Sequence, residues 1–255
     1  MHGKFAWYEL ITPDVTAAQA FYGAVTGWTA ATMEGSGYTV FSVGDHGVAG
    51  ALGLTDEMRA MGARPSWLGY VVVDNVDATV EALAKAGGKV HRGPTDVPGM
   101  LRFAVVADPR GATFMVFTPD PRMDPPPPPP RGTPGLFGWS ELVATDWEAA
   151  FGFYSGLFGW TKAMSVDMGP MGTYQTFAAA DGEPIGGMMT KPPEMPGPPL
   201  WAHYILVDSI DAAIGRLKTA GGSVINGPHP VPGDMFIAQA LDPQGAMFSL
   251  LSTKA

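Results

Sequence analysis

Two glutamates, Glu9 and Glu141, each follow a tryptophan by two residues, in Trp7-Tyr8-Glu9 and Trp139-Ser140-Glu141. Residues two apart on a strand share a face, so each carboxylate points the same way as its indole. A carboxylate in a largely apolar hollow has its pKa raised by burial and suits general acid/base work. The same residues could instead be structural, each glutamate bonding nearby backbone or a tyrosine. Cysteine is absent from the 255 residues, which excludes thiolate catalysis, disulfides and Cys-ligated metals. The formal charge of −9, with no run of Lys or Arg, argues against a nucleic-acid partner.

Both glutamates sit in a stretch that occurs twice. Residues 5–29 return at 137–161 with a constant offset of 132, and 12 of the 25 positions are identical. Such agreement marks an internal duplication. In each copy a strand carries the Trp-x-Glu, and Asp14 or Asp146 follows as the N-cap of a helix. Ala17, Ala18, Phe21, Tyr22 and Val25 then form one apolar stripe, closed by Gly27. Short strands follow at 38–43 and 48–52, with residues 54–66 as a loop. A second strand-helix unit begins at Trp67–Val73. Its helix stripe is Val76, Val80, Leu83 and Ala84, ending at Gly87-Gly88. Three further strands begin at Lys89, Met100 and Thr113, the last two joined by the turn Asp108-Pro109-Arg110-Gly111. Trp201-Ala202-His203-Tyr204 repeats Trp67-Leu68-Gly69-Tyr70, and Asp242-Pro243-Gln244-Gly245 repeats the turn. The chain therefore reads as α+β with four βαβββ modules, in domains 1–118 and 136–255. Residues 119–135 form a Pro-rich linker, where six prolines from Pro125 to Pro130 favour a stiff spacer. The first residues enter a strand pattern at once and no apolar run approaches 18 residues. A cytoplasmic protein without a membrane partner, monomeric or a homodimer, is the expectation.

The ordered, twice-occurring set of Phe-Tyr…Gly-Trp helix end, Val-Asp turn, Ala-Gly-Gly helix end and Asp-Pro-x-Gly hairpin resembles the vicinal oxygen chelate superfamily, also called glyoxalase/bleomycin resistance/dioxygenase. The resemblance covers nearly all of the chain outside the linker. It implies sheets curved into cups around a small ligand. It also implies a divalent metal held by His and Glu at set places. The first-strand histidine position is Trp7 and Trp139 in this chain, the second is Leu68 and Ala202, and the closing glutamate is Met115 and Ser249. These residue types are poor ligands for such an ion, so no metal and no other cofactor is expected. Glyoxalase and dioxygenase chemistry, which in the superfamily uses a metal Lewis acid, is correspondingly in doubt.

The site expected is therefore Glu9 and Glu141 as acid/base groups. Trp7, Tyr70, Met115, Trp139, Tyr204 and Ser249 would line the ligand, with Tyr70 and Tyr204 able to donate hydrogen bonds. His203 is one residue out of phase and should turn to the helix layer; a shifted register would instead pair it with Glu141 around a metal. His46, His91 and His229 fall at turns or loop edges as solvated side chains. Trp28 and Trp160 read as packing plugs. The methionines at 164, 168, 171, 188, 189 and 195 read as core filling or as lining of the second cup. Three functions remain open: a protein binding a small, partly apolar metabolite, with or without Glu-based chemistry; a metal-dependent lyase, isomerase or dioxygenase using a different Glu/His set; or a scaffold with filled cups.

Overall fold

The computed structural model describes residues 1–195 and 197–255. In the first repeat β1 (Phe5–Thr12) leads to α1 (Val15–Thr26), β2 (Thr29–Thr32), β3 (Thr39–Val43), β4 (His46–Gly53) and the short α2 (Asp56–Ala60). β5 (Ser66–Val72), α3 (Val76–Lys85), β6 (Lys89–Val97), β7 (Leu101–Ala107) and β8 (Thr113–Pro119) follow. The second repeat runs β9 (Phe137–Ala144), α4 (Trp147–Phe158), β10 (Thr161–Asp167), β11 (Thr173–Ala178) and β12 (Pro184–Thr190). It continues with β13 (Leu200–Leu206), α5 (Ile210–Thr219), β14 (Ser223–Val231), β15 (Met235–Leu241) and β16 (Met247–Ser252). Each repeat carries a curved mixed sheet, ordered β2-β3-β4-β1-β5-β8-β7-β6 in the first and β10-β11-β12-β9-β13-β16-β15-β14 in the second. No helix among the described residues is long and apolar enough to cross a membrane.

The local signals act as the sequence suggests. Asp14 caps α1 by accepting the Ala17 N–H at 2.9 Å, a contact worth about 1 kcal/mol. Asp146 caps α4 through Glu148 and Ala149. Gly27 and Gly159 end those helices in the left-handed conformation, φ 80° and 68°, which costs glycine little. Two elements differ from expectation. β2 is a strand, but all four of its residues are exposed, so it carries no apolar alternation to betray it. The stretch read as loop 54–66 contains α2, capped by Thr55 with Asp56 and Glu57 in its first turn.

The chain forms two compact units, each drawing modules from both repeats. One, here the Glu9 unit, comprises Trp7–Trp67, Pro125–Gly138 and His203–Ala255. The other, the Glu141 unit, comprises Met1–Ala6, Leu68–Asp124 and Trp139–Ala202. In the Glu9 unit, Tyr22 on α1 lies against Trp28, Phe41, Trp67 and Phe248. Trp28 is buried and donates its indole N–H to the Gly135 carbonyl at 2.7 Å. In the Glu141 unit the matching Tyr154, Phe158, Trp160 and Phe177 join Val71, Val73, Phe114, Val116 and Leu142 in one core. Trp160 there donates to Gly3 O at 2.7 Å. Both tryptophans are thus the plugs anticipated, and each full burial of such a ring contributes at least about 1.5–3 kcal/mol.

Candidate functional site

The sites grow out of β1 and β9. In β9, Leu142 and Ala144 enter the helix-side core; by strand alternation Trp139 and Glu141 turn to the opposite face. In β1, Tyr8 stacks on Phe137, which touches Trp28, so Trp7 and Glu9 face away from the helices. Glu9 is 5% exposed and Glu141 8%.

A tyrosine of the third strand completes each arrangement. Trp7 Nε1–H donates to Tyr38 Oη at 2.9 Å. An indole N–H can only donate, so the Tyr38 hydroxyl is left to give its own proton, and Glu9 accepts it. Burial first, and the Glu9 charge second, push the Tyr38 phenol far above its ordinary range. Glu9 pairs in register with Gly50 of β4. A Cβ added at Gly50 would lie 1.9 Å from Tyr38 Oη, so only glycine leaves room for the phenol beside the acid. The Glu141 unit repeats this: Trp139 Nε1–H donates to Tyr174 Oη at 2.8 Å. Gly187 pairs with Glu141, and a Cβ there would sit 2.4 Å from Tyr174 Oη.

The remaining expected residues take the same face. Tyr70 pairs with Met115 between β5 and β8, while Val71, Phe114 and Val116 enter the helix-side core. Tyr204 pairs with Ser249 between β13 and β16, and their neighbour Phe248 packs on Phe21 of α1. All four are buried. Each of these side chains thus turns to the non-helical face of its own sheet; Trp139 and Glu141 lie on one sheet of the Glu141 unit and Tyr70 and Met115 on the other, as Trp7 and Glu9 and then Tyr204 and Ser249 do in the Glu9 unit. The tyrosine beside each acid, Tyr38 or Tyr174, and the glycine beneath it, Gly50 or Gly187, escaped the sequence reading. Their recurrence at matching places of the two repeats is the signal that could have found them.

His203 turns to the helix side, edge-on to the Tyr8 ring with centroids 4.9 Å apart. Burial alone pushes its pKa down to about 3, so it is a neutral packing group. His229 Nε2 lies 2.9 Å from Asn226 Oδ1, His46 Nδ1 lies 3.2 Å from the Pro126 carbonyl, and all three ring-bearing edges with His91 are outside the constellations. Met188 is buried, whereas Met164 and Met171 are about half exposed, so these methionines do not act as one lining. Two surface recesses of about 610 and 570 Å3 lie elsewhere. The larger is rimmed by Arg102, bonded to both Asp77 and Asp96, and by Arg122 bonded to Asp120; its charges already answer one another.

The model of the Glyoxalase/Bleomycin resistance protein/Dioxygenase superfamily matches residues 4–116 and again 136–250. The chain belongs to this superfamily. Its superfamily relatives include the anthracycline biosynthesis protein DauV of Streptomyces sp. (strain C5), 33% identical over 267 residues, covering 99% of this chain and 94% of that one. Among solved structures, the Mn(II)-bound glyoxalase from Novosphingobium aromaticivorans aligns with TM-score 0.66 at 18% identity, over 100% of this chain and 83% of that one. The 2,2',3-trihydroxybiphenyl 1,2-dioxygenase of Sphingomonas wittichii strain RW1 aligns with TM-score 0.67 at 13% identity, over 99% and 91%. At those identities the two structures speak for the fold.

The superfamily fold implies a metal, and the donor set can be tested against it. The six side chains at the metal-ligand places are Trp7, Leu68, Met115, Trp139, Ala202 and Ser249, which offer an indole, alkyl groups, a thioether and a hydroxyl. A divalent ion asks for imidazole, carboxylate or thiolate. Among the described residues no three His, Asp or Glu side chains stand together where they could hold an ion. These residues do not fit the group.

Proposed function

We propose that this superfamily member binds a small, partly apolar metabolite on the non-helical face of its units. There Glu9 and Glu141 act as acid/base groups without a metal. The observation that carries the reading is the Trp7–Tyr38–Glu9 series: a buried carboxylate held by a phenol that is itself held by an indole. A carboxylate fixed by donors in a desolvated place is positioned to take a proton from a carbon or oxygen acid and return it. Half-buried Trp7 and Trp139 supply flat apolar surface beside it, suited to stacking a ring. The 33% identical relative named for anthracycline biosynthesis supports a ligand built of fused, oxygenated rings.

The chemistry this allows is limited and definite. Glu9 removes a proton adjacent to a ligand carbonyl, the Tyr38 phenol steadies the carboxylate between strokes, and the proton returns either to another carbon or oxygen of the ligand or to a departing β-hydroxyl, which leaves as water. The overall change is an isomerisation or an elimination, with no electrons exchanged.

The test is a panel of hydroxylated polycyclic ketones followed by calorimetry and mass spectrometry. Wild type should bind members of the panel and change at least one, in buffer containing EDTA as well as without it. Glu9→Gln combined with Glu141→Gln should bind but leave the ligand unchanged. Binding without any chemical change by wild type would reduce the protein to a carrier. Loss of turnover on EDTA treatment, restored by a divalent ion, would overturn the metal-free reading.

A further inference from the structure

The two repeats share the Trp/Tyr/Glu/Gly arrangement but differ on the face presented by β5–β8 in one and by β13–β16 in the other. In the Glu141 unit, Tyr70, Met115 and Val105 stand side by side across three strands. Beside them the Arg92 guanidinium lies over the Phe103 ring, 5.1 Å from its centroid. In the Glu9 unit the same places hold Tyr204, Ser249 and Gln239. There the side chains bond in series: His229 to Asn226 at 2.9 Å, Asn226 Nδ2 to Gln239 Oε1 at 3.3 Å, and Gln239 Nε2 to Tyr204 Oη at 3.2 Å. A thioether and an isopropyl group in one unit are a hydroxyl and an amide in the other.

A second observation points to a ligand. Ser249 is 0% exposed, and its Oγ has no hydrogen-bond partner among the described residues. Leaving a buried hydroxyl unsatisfied costs about 1–3 kcal/mol, and a serine placed only to fill space gains nothing over alanine. Alternation from Phe248, which packs on α1, turns Ser249 to the same face as Tyr204. Tyr8 and His203 meet on the helix side of this unit from strands of different sheets, so Tyr204 and Ser249 take the opposite face of β13 and β16. Ser249 is covered, and the half-buried Gln239 lies beside it.

We infer that the two units take chemically different ligand faces. The β13–β16 face docks a carbonyl or hydroxyl oxygen of its ligand on Ser249 and Gln239, whereas the β5–β8 face meets a bare hydrocarbon edge with Met115 and Val105. This rests on the proposed binding face. It assigns Ser249 and Gln239 a specificity role rather than a part in proton transfer. Duplication has then produced one face for the oxygenated edge of a ring system and one for the plain edge.

The test uses two soluble probes with the same three rings, anthraquinone-2-sulfonate and anthracene-2-sulfonate, titrated calorimetrically into the full chain. Ser249→Ala should weaken the quinone by about tenfold at one class of site and leave the anthracene unchanged. Met115→Ser, the reciprocal change, should strengthen the quinone at the other class. Ser249→Ala is nearly isosteric and removes an unsatisfied hydroxyl, so a melting curve at or above that of wild type separates recognition from folding. If both variants alter the two probes equally, or alter neither, the division between the units is wrong while the shared binding face stands. If wild type binds neither ring system, the binding face itself fails and this inference with it.

Discussion

The phenol of Tyr38 stands between the indole of Trp7 and the carboxylate of Glu9, accepting at 2.9 Å from one and donating to the other. It gives the buried Glu9 carboxylate a hydrogen-bond donor. Tyr38→Phe removes both bonds and leaves the carboxylate short of a donor. The expected loss is about 1–3 kcal/mol, read as a lower urea midpoint at unchanged slope. An unshifted midpoint would show that water replaces the phenol at no cost.

Gly50 and Gly187 give a steric check on the same geometry. A methyl group at either would fall inside the tyrosine ring, 1.9 or 2.4 Å from its oxygen. Gly50→Ala should cost about 1–3 kcal/mol. Adding Tyr38→Ala to it should cost less than the two changes summed, because the small side chain vacates the colliding space. Strict additivity would mean that ring and glycine are not in contact.

The duplication, the helices with their caps and the parity of Glu9, Tyr70, Tyr204 and Ser249 were legible because a repeat, an N-cap and a period of two are local patterns. What stayed hidden is the partnership of Glu9 with Tyr38 and Gly50. It joins three strands whose register is set by long-range pairing, and nothing local to Tyr38 marks it. β2 was hidden for the opposite reason: an exposed edge strand of Thr and Ala carries no burial pattern. The composition of the compact units, each drawing on both repeats, is likewise invisible to a reading that follows the chain.

His203 makes acid stability a test of its packing. Its folded pKa is about 3, below the unfolded value of about 6.5. Above pH 6.5 both states are neutral and the contribution is complete. As pH falls from 6.5 toward 3, the unfolded chain takes a proton that the folded one refuses. Stability then drops by about 1.4 kcal/mol per pH unit from this residue. His203→Phe keeps a ring against Tyr8 and cannot titrate, so its acid limb should be shallower by that slope. Superimposable limbs for the two proteins would show that His203 is reached by solvent.

Tyr22 and Tyr154 carry the alkaline counterpart. Tyr22 receives the Trp67 indole N–H at 2.8 Å and bonds Asp242 Oδ2 at 3.1 Å. Asp242 in turn holds its hairpin through the N–H groups of Gln244 and Ala246. Tyr154 does the same with Trp201 and Asp108. Burial, then the aspartate charge, push both phenols well above their usual value, as burial and Glu9 do for Tyr38. A raised folded pKa means stability that is complete below pH 10 and lost above it, as the unfolded chain ionises first. In an ultraviolet titration these three of the seven tyrosines should therefore stay protonated until the protein unfolds, then ionise together with the loss of tertiary signal. Tyr22→Phe should remove one from that cooperative step and cost about 1–3 kcal/mol, since Trp67 loses its acceptor. Gradual ionisation of all seven before unfolding would place these phenols in water and dissolve the network.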